Sequence, residues 1–136
     1  MRQVVIALLF TVLVASCGEK SSGPTAPSVA QAAGTWRGTI NETTSGAGQL
    51  TLTIAQNGST LSGTWASLSQ NPGGSTGGTL SGTAGTSNIT VTLTDSNPTN
   101  CSYNLTGPVS GSQMSLTYAS FNCPVAFTGT VTLTKQ

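Results

Sequence analysis

The sequence holds 136 residues, room for one domain with short appendages. Only 5% of them are charged and none is histidine, so Thr, Ser and Gly must supply the polar surface. Beyond the leader, Lys20, Arg37 and Lys135 balance Glu19, Glu42 and Asp95, which argues against a nucleic-acid partner and against a carboxylate-rich calcium shell.

Residues 1–16 have the order of an export signal. Arg2 is the positive end, Val4 to Ala15 form an apolar stretch, and small residues precede Cys17. The stretch is too short to span a bilayer as a helix, which takes about 20 residues. Val14-Ala15-Ser16-Cys17 resembles the lipobox of bacterial lipoproteins. The resemblance implies a diacylglycerol on the Cys17 thiol, cleavage just before it, and a membrane as partner through that lipid anchor. Gly18 is similar to the residue that follows the cysteine in outer-membrane members of that class. The expected location is therefore the cell envelope, lipid-anchored, and the outer membrane if the host has two. Residues 17–33, rich in Ser, Pro, Ala and Gly, are expected to form the lipidated N-terminus and a flexible tether, with the folded domain over 34–136.

From Gly34 onward the hydrophobic period is two. Leu50, Leu52 and Ile54 alternate with threonine, as do Ile89, Val91 and Leu93, then Met114, Leu116 and Tyr118, then Val125, Phe127, Val131 and Leu133. Threonine is β-branched, so it favours strands while keeping the outer face wet. Asn57-Gly58 is a hairpin signal, and the other breaks leave strands over 34–42, 48–56, 60–67, 77–83, 88–94, 101–106, 112–119 and 125–134. Leu61-Ser-Gly-Thr, Leu80-Ser-Gly-Thr, Leu105-Thr-Gly and Phe127-Thr-Gly-Thr recur at offsets of 19, 25 and 22 residues, a hairpin-sized unit. The glycine two residues after each large side chain suggests bending points in a tightly curved sheet. Such a meander closes into a barrel or folds into a sandwich, and its short sequential connections favour a single all-β, up-and-down antiparallel barrel of about eight strands. The Thr/Ser outer face is wrong for a transmembrane barrel.

Three cysteines become two once Cys17 is lipidated, and in an oxidising compartment Cys101 and Cys123 are expected to pair. The sixth strand opens at Cys101 and the eighth follows Cys123, which puts both at one barrel end. Two cysteines without histidine complete neither a metal shell nor a catalytic thiol pair. Glu42 and Asp95 are the domain's carboxylates and have no histidine to work with, so no enzyme, cofactor or metal is expected.

Gly34-Thr35-Trp36 resembles the Gly-x-Trp that opens the first strand of lipocalins and avidins, the calycin barrels. Gly58-Ser59-Thr60-Leu61-Ser62-Gly63-Thr64-Trp65 is similar to the avidin third strand. The resemblance implies a barrel that holds a small apolar ligand, with Trp36 packed beneath a basic residue near the chain end, here Lys135. The later tryptophans that complete the avidin site have no counterpart after Trp65, so the biotin contacts do not carry over. Trp36, Trp65, Tyr103, Tyr118 and Phe127 share the inward face, as lining of a ligand cavity or as core packing. The barrel then serves one of two roles: a binding module for a small apolar ligand, or a structural or protein-interaction element of the envelope with a solid core. For the second role the sequence names no protein partner. Closure of an even-stranded meander pairs the first strand with the last, and so sets Trp36 beside Lys135. It also gathers loops 43–47, 68–76, 95–100 and 119–124 at the mouth away from the tether.

Overall fold

The computed structural model describes residues 28–43, 46–69, 75–97 and 101–136; the leader, Cys17 and the first part of the tether lie outside the described residues. Eight strands follow in order: β1 (Gly34–Glu42), β2 (Gly46–Asn57), β3 (Thr60–Ser69), β4 (Ser75–Ala84), β5 (Asn88–Asp95), β6 (Ser102–Ser110), β7 (Gln113–Phe121) and β8 (Thr128–Lys135). Each pairs antiparallel with the next, and β1 pairs with β8, so the sheet closes into one up-and-down barrel with no free edge.

Alternation explains the two surfaces. Leu52, Val91, Met114 and Leu133 are fully buried inside, while the intervening threonines face out. In the register, Thr60, Thr83, Thr90, Thr106, Thr117 and Thr130 are successive partners from β3 to β8, which makes an uncharged hydroxyl belt. The Thr90 and Thr106 hydroxyls lie 3.1 Å apart within it. The repeated inward glycines permit the curvature. A Cβ on Gly63 would lie 1.9 Å from the Thr53 carbonyl oxygen, and one on Gly82 2.2 Å from that of Thr90, so neighbouring strands close in where a side chain would block them.

Turns 58–59, 85–87 and 111–112 lie at one end, the base, together with the start of β1 and the end of β8. The connections after β1, β3, β5 and β7 belong to the other end, the mouth. Four details depart from the sequence expectations. β8 begins at Thr128 rather than Val125, and Val125 is exposed in the connection before it. Cys101 immediately precedes β6, and Cys123 sits within the 122–127 connection rather than directly before a strand. β6 runs on to Ser110 through Gly107-Pro108, where its ladder to β7 skips those two residues because proline has no N–H to donate. The end of the expected tether belongs to the folded unit. The Ala30 N–H donates to the Gly85 carbonyl at 2.8 Å, and Gln56 both accepts from the Ala32 N–H at 2.7 Å and donates to the Ala30 carbonyl at 2.9 Å. Ala30 and Ala32 are buried, so this segment caps the base.

Trp36 is the plug beneath that cap. It is fully buried, and its indole N–H donates to the Ala32 carbonyl at 2.8 Å. Its strand partner on β8 is Lys135, whose Nζ lies 5.6 Å from the ring centroid. Gly34 leaves room for the lysine stem: at φ of 124° any other residue would be strained, and its Cβ, 2.8 Å from Lys135 Cε, would push the lysine aside.

Candidate functional site

The upper half of the barrel is not filled. A cavity of about 160 Å³ opens at the mouth, lined by the aliphatic Ile40, Leu50, Leu93 and Leu105 and by the rings of Trp65, Tyr103 and Tyr118. At the share of volume a molecule takes in liquid water, about 30 Å³, that is room for about five waters. An eight-stranded barrel has an interior just wide enough to be filled by side chains or to hold one small ligand. Here side chains fill the base half, and the mouth half leaves the open space.

Strand direction decides which aromatic residue goes where. β1 leaves the base, so Trp36, near its start, is low. β3 also leaves the base, so Trp65, further along it, stands in the mouth half. Tyr103 lies near the mouth end of β6 and Tyr118 in the mouth half of β7. Of the five aromatic candidates, Trp65, Tyr103 and Tyr118 line the cavity; Trp36 lies in the base, and Phe127 packs half-buried against the core before β8. The Trp65 N–H donates to the Thr94 carbonyl at 3.1 Å, which fixes the ring without using a ligand. The Tyr103 ring stands at 79° to Trp65 with centroids 6.0 Å apart, and at 72° to Tyr118 with centroids 6.1 Å apart. Three rings thus meet as nearly perpendicular walls.

Two charged residues that periodicity alone would place in the interior reach the same region. Glu42 follows Trp36, Gly38 and Ile40 on the inward face of β1 and lines the cavity. Asp95 follows Val91 and Leu93 on the inward face of β5, at the mouth end. Its carboxylate accepts from the Thr76 hydroxyl and, at 2.8 Å, from the Asn97 N–H. The register repeats one arrangement on opposite sides. Tyr118 pairs with Gly129, which pairs with Glu42; Trp65 pairs with Gly78, which pairs with Asp95. In each case a glycine stands in the register between an aromatic residue and a carboxylate; at Gly129 the Tyr118 ring takes up the space, and a Cβ there would fall 2.6 Å from Tyr118 Cε1. Burial, the nearby Glu42 carboxylate and, next, Asp95 push the Tyr103 hydroxyl above its ordinary range. Tyr118 is raised further, by burial, then by Glu42 and Tyr103.

Glu42, Asp95 and Thr76 carry no motif that marks a ligand site in the sequence. Parity could have found them, since each continues an inward row. The disulfide between Cys101 and Cys123, with Cα atoms 5.0 Å apart, ties the connection before β6 to that before β8. The mouth therefore carries the cavity, both domain carboxylates and the covalent brace. No family model, curated protein or solved structure matches this chain.

Proposed function

We propose that this is a lipid-anchored protein of the bacterial envelope that holds a small, largely apolar ligand in its barrel mouth, as a binding protein and not as an enzyme. The mouth cavity carries the binding half of that role: it is walled by strands and lined mainly by aliphatic and aromatic side chains. The anchor half rests on residues 1–17, where the apolar leader ends in Val14-Ala15-Ser16-Cys17. Two or three acyl chains, at about 0.8 kcal/mol per buried methylene, hold a protein to a bilayer essentially permanently. With Gly18 after the lipidated cysteine, the outer membrane is the expected site in a host with two. On this reading the anchored chain enters the barrel at its base, so the base faces the lipid and the mouth faces away from it.

Each half has its own test. Cys17→Ser should move the protein from the membrane to the soluble fraction; unchanged detergent-dependent recovery would refute the anchor. Xenon should bind the full chain saturably, and Ser67→Phe, which fills the cavity from its inward position on β3, should abolish that binding. Absence of any saturable uptake would refute the ligand site. A second role, contact with another protein through the mouth, draws support from Leu68 at the mouth end of β3 and Val125 in the connection before β8. These two large apolar residues are 59% and 61% exposed.

A further inference from the structure

We propose that the ligand of the mouth cavity is a small organic cation carrying an alkylated ammonium group, held against Trp65, Tyr103 and Tyr118 with the Glu42 carboxylate as its counter-charge and Asp95 adding to the anionic field at the mouth. This rests on the mouth cavity being a ligand site, and adds the chemistry of what enters it.

Charge distribution makes the first argument. Both carboxylates of the barrel stand at the mouth, on inward rows from opposite sides. Its cations do not: Arg37 faces outward from β1, and Lys135 is at the base over Trp36. The residues between β1 and β2, between β3 and β4, and between β5 and β6 include neither lysine nor arginine. The mouth is thus an anionic opening into an apolar chamber, with the positive ends of the barrel far from it. An anionic ligand would enter against that field, whereas a cation enters with it.

The walls make the second argument. Ring faces attract cations through their quadrupole, and nearly perpendicular rings around a small chamber present that attraction from more than one side. The Trp65 N–H is already engaged by Thr94, so the indole offers its π-surface rather than a donor. Glu42 opposes ionisation of both phenols, after burial, so its field reaches the chamber that the rings enclose. A metal ion is the poorer occupant: it demands many oxygen ligands and is reluctant to shed water for ring faces. An alkylated ammonium is weakly hydrated, and its methyl groups pack on Leu50, Leu93 and Leu105 while its charge is met by rings and carboxylate. The chamber, with room for about five waters, suits a head group of that size.

The test is titration calorimetry of the full chain in a nonionic detergent, with choline chloride and, separately, its neutral carbon isostere dimethylbutanol, each referenced to sodium chloride at equal concentration. Choline should bind saturably at one site, and the isostere about tenfold or more weakly. Glu42→Gln should weaken choline by about tenfold and leave the isostere unchanged; Tyr103→Leu should weaken choline while Tyr103→Phe, which keeps the ring, should not. Equal binding of choline and isostere would overturn the cation and leave the ligand site standing. Failure of both to bind would overturn the site and the cation together. Choline binding unaffected by both Glu42→Gln and Tyr103→Leu would place it elsewhere and overturn the proposal. The comparison of choline with its isostere uses the unaltered chain, so it decides even where a variant fails to fold.

Discussion

Trp36→Phe isolates the base plug from the mouth. The indole N–H is the donor to the Ala32 carbonyl, and Ala32 is fully buried. Phenylalanine keeps an aromatic ring under Lys135 but removes that donor, and an acceptor left buried and unpaired costs about 1–3 kcal/mol. The ring atoms lost from a fully buried position add about 1 kcal/mol, at about 0.8 kcal/mol per buried methylene-sized group. The expected loss is about 2–4 kcal/mol, a large part of the 5–15 kcal/mol of a typical domain. Urea unfolding with the disulfide intact measures it, and the variant leaves Trp65 as the only tryptophan of the chain and thus a mouth-specific fluorophore. The midpoint should fall while the m-value holds, because the barrel exposes the same surface on unfolding. A loss below about 1 kcal/mol would show that the Ala32 carbonyl finds water in the variant, and that the capping segment is not the sealed lid described above.

Replacing Cys101 and Cys123 together by serine should cost about 3 kcal/mol by the chain-entropy account of a 22-residue separation, read from the same urea curves; no change would mean the mouth connections are ordered without the bond. Gly129→Ala should destabilise the barrel and disturb Tyr118, since the new Cβ would fall 2.1 Å from the Asn41 carbonyl oxygen; near-UV circular dichroism reports the ring, and an unchanged spectrum with unchanged stability would contradict the register. The chain has two tyrosines, Tyr103 and Tyr118, so absorbance of phenolate reads the site directly. Both phenols hold their protons more tightly when folded than the ordinary value of 10.0, so the folded chain should ionise later than the unfolded one. Stability should accordingly be constant below about pH 10 and fall as pH rises beyond it. Phenolate appearing at or below pH 10 in a still-folded barrel would count against the buried, carboxylate-flanked setting of these rings.

Much of the barrel was legible because its signal is local. Period-two alternation needs no partner to be seen, and the hairpin breaks gave strand order. What escaped depends on residues distant in sequence. The capping segment has no periodicity of its own; it is held by Gln56 from β2 and by Gly85 from the turn after β4. Trp36 and Trp65 look equivalent by parity, and only the direction of β1 and β3 separates a plug from a cavity wall. Val125 alternates with Phe127 in sequence, but the connection from Asn122, with φ of 56°, uses those residues to turn the chain, and the strand starts later. Glu42 and Asp95 read in sequence only as carboxylates without a histidine, whereas their inward positions at the ends of β1 and β5 make them parts of a mouth.

An even number of strands also sets how the molecule bears force. The described chain enters β1 and leaves β8 at the base, and the two strands are antiparallel neighbours from Trp36–Lys135 up to Glu42–Gly129. A pull between the two termini therefore peels this pair apart from the base, breaking its hydrogen bonds one after another. A pull between the N-terminus and a handle at the mouth acts along β1 instead, and loads its ladders to β2 and β8 together. Single-molecule stretching should find the second direction the stronger, and equal rupture forces would refute this. Under the proposed N-terminal anchor, a load applied at the mouth would run along the barrel's resistant axis.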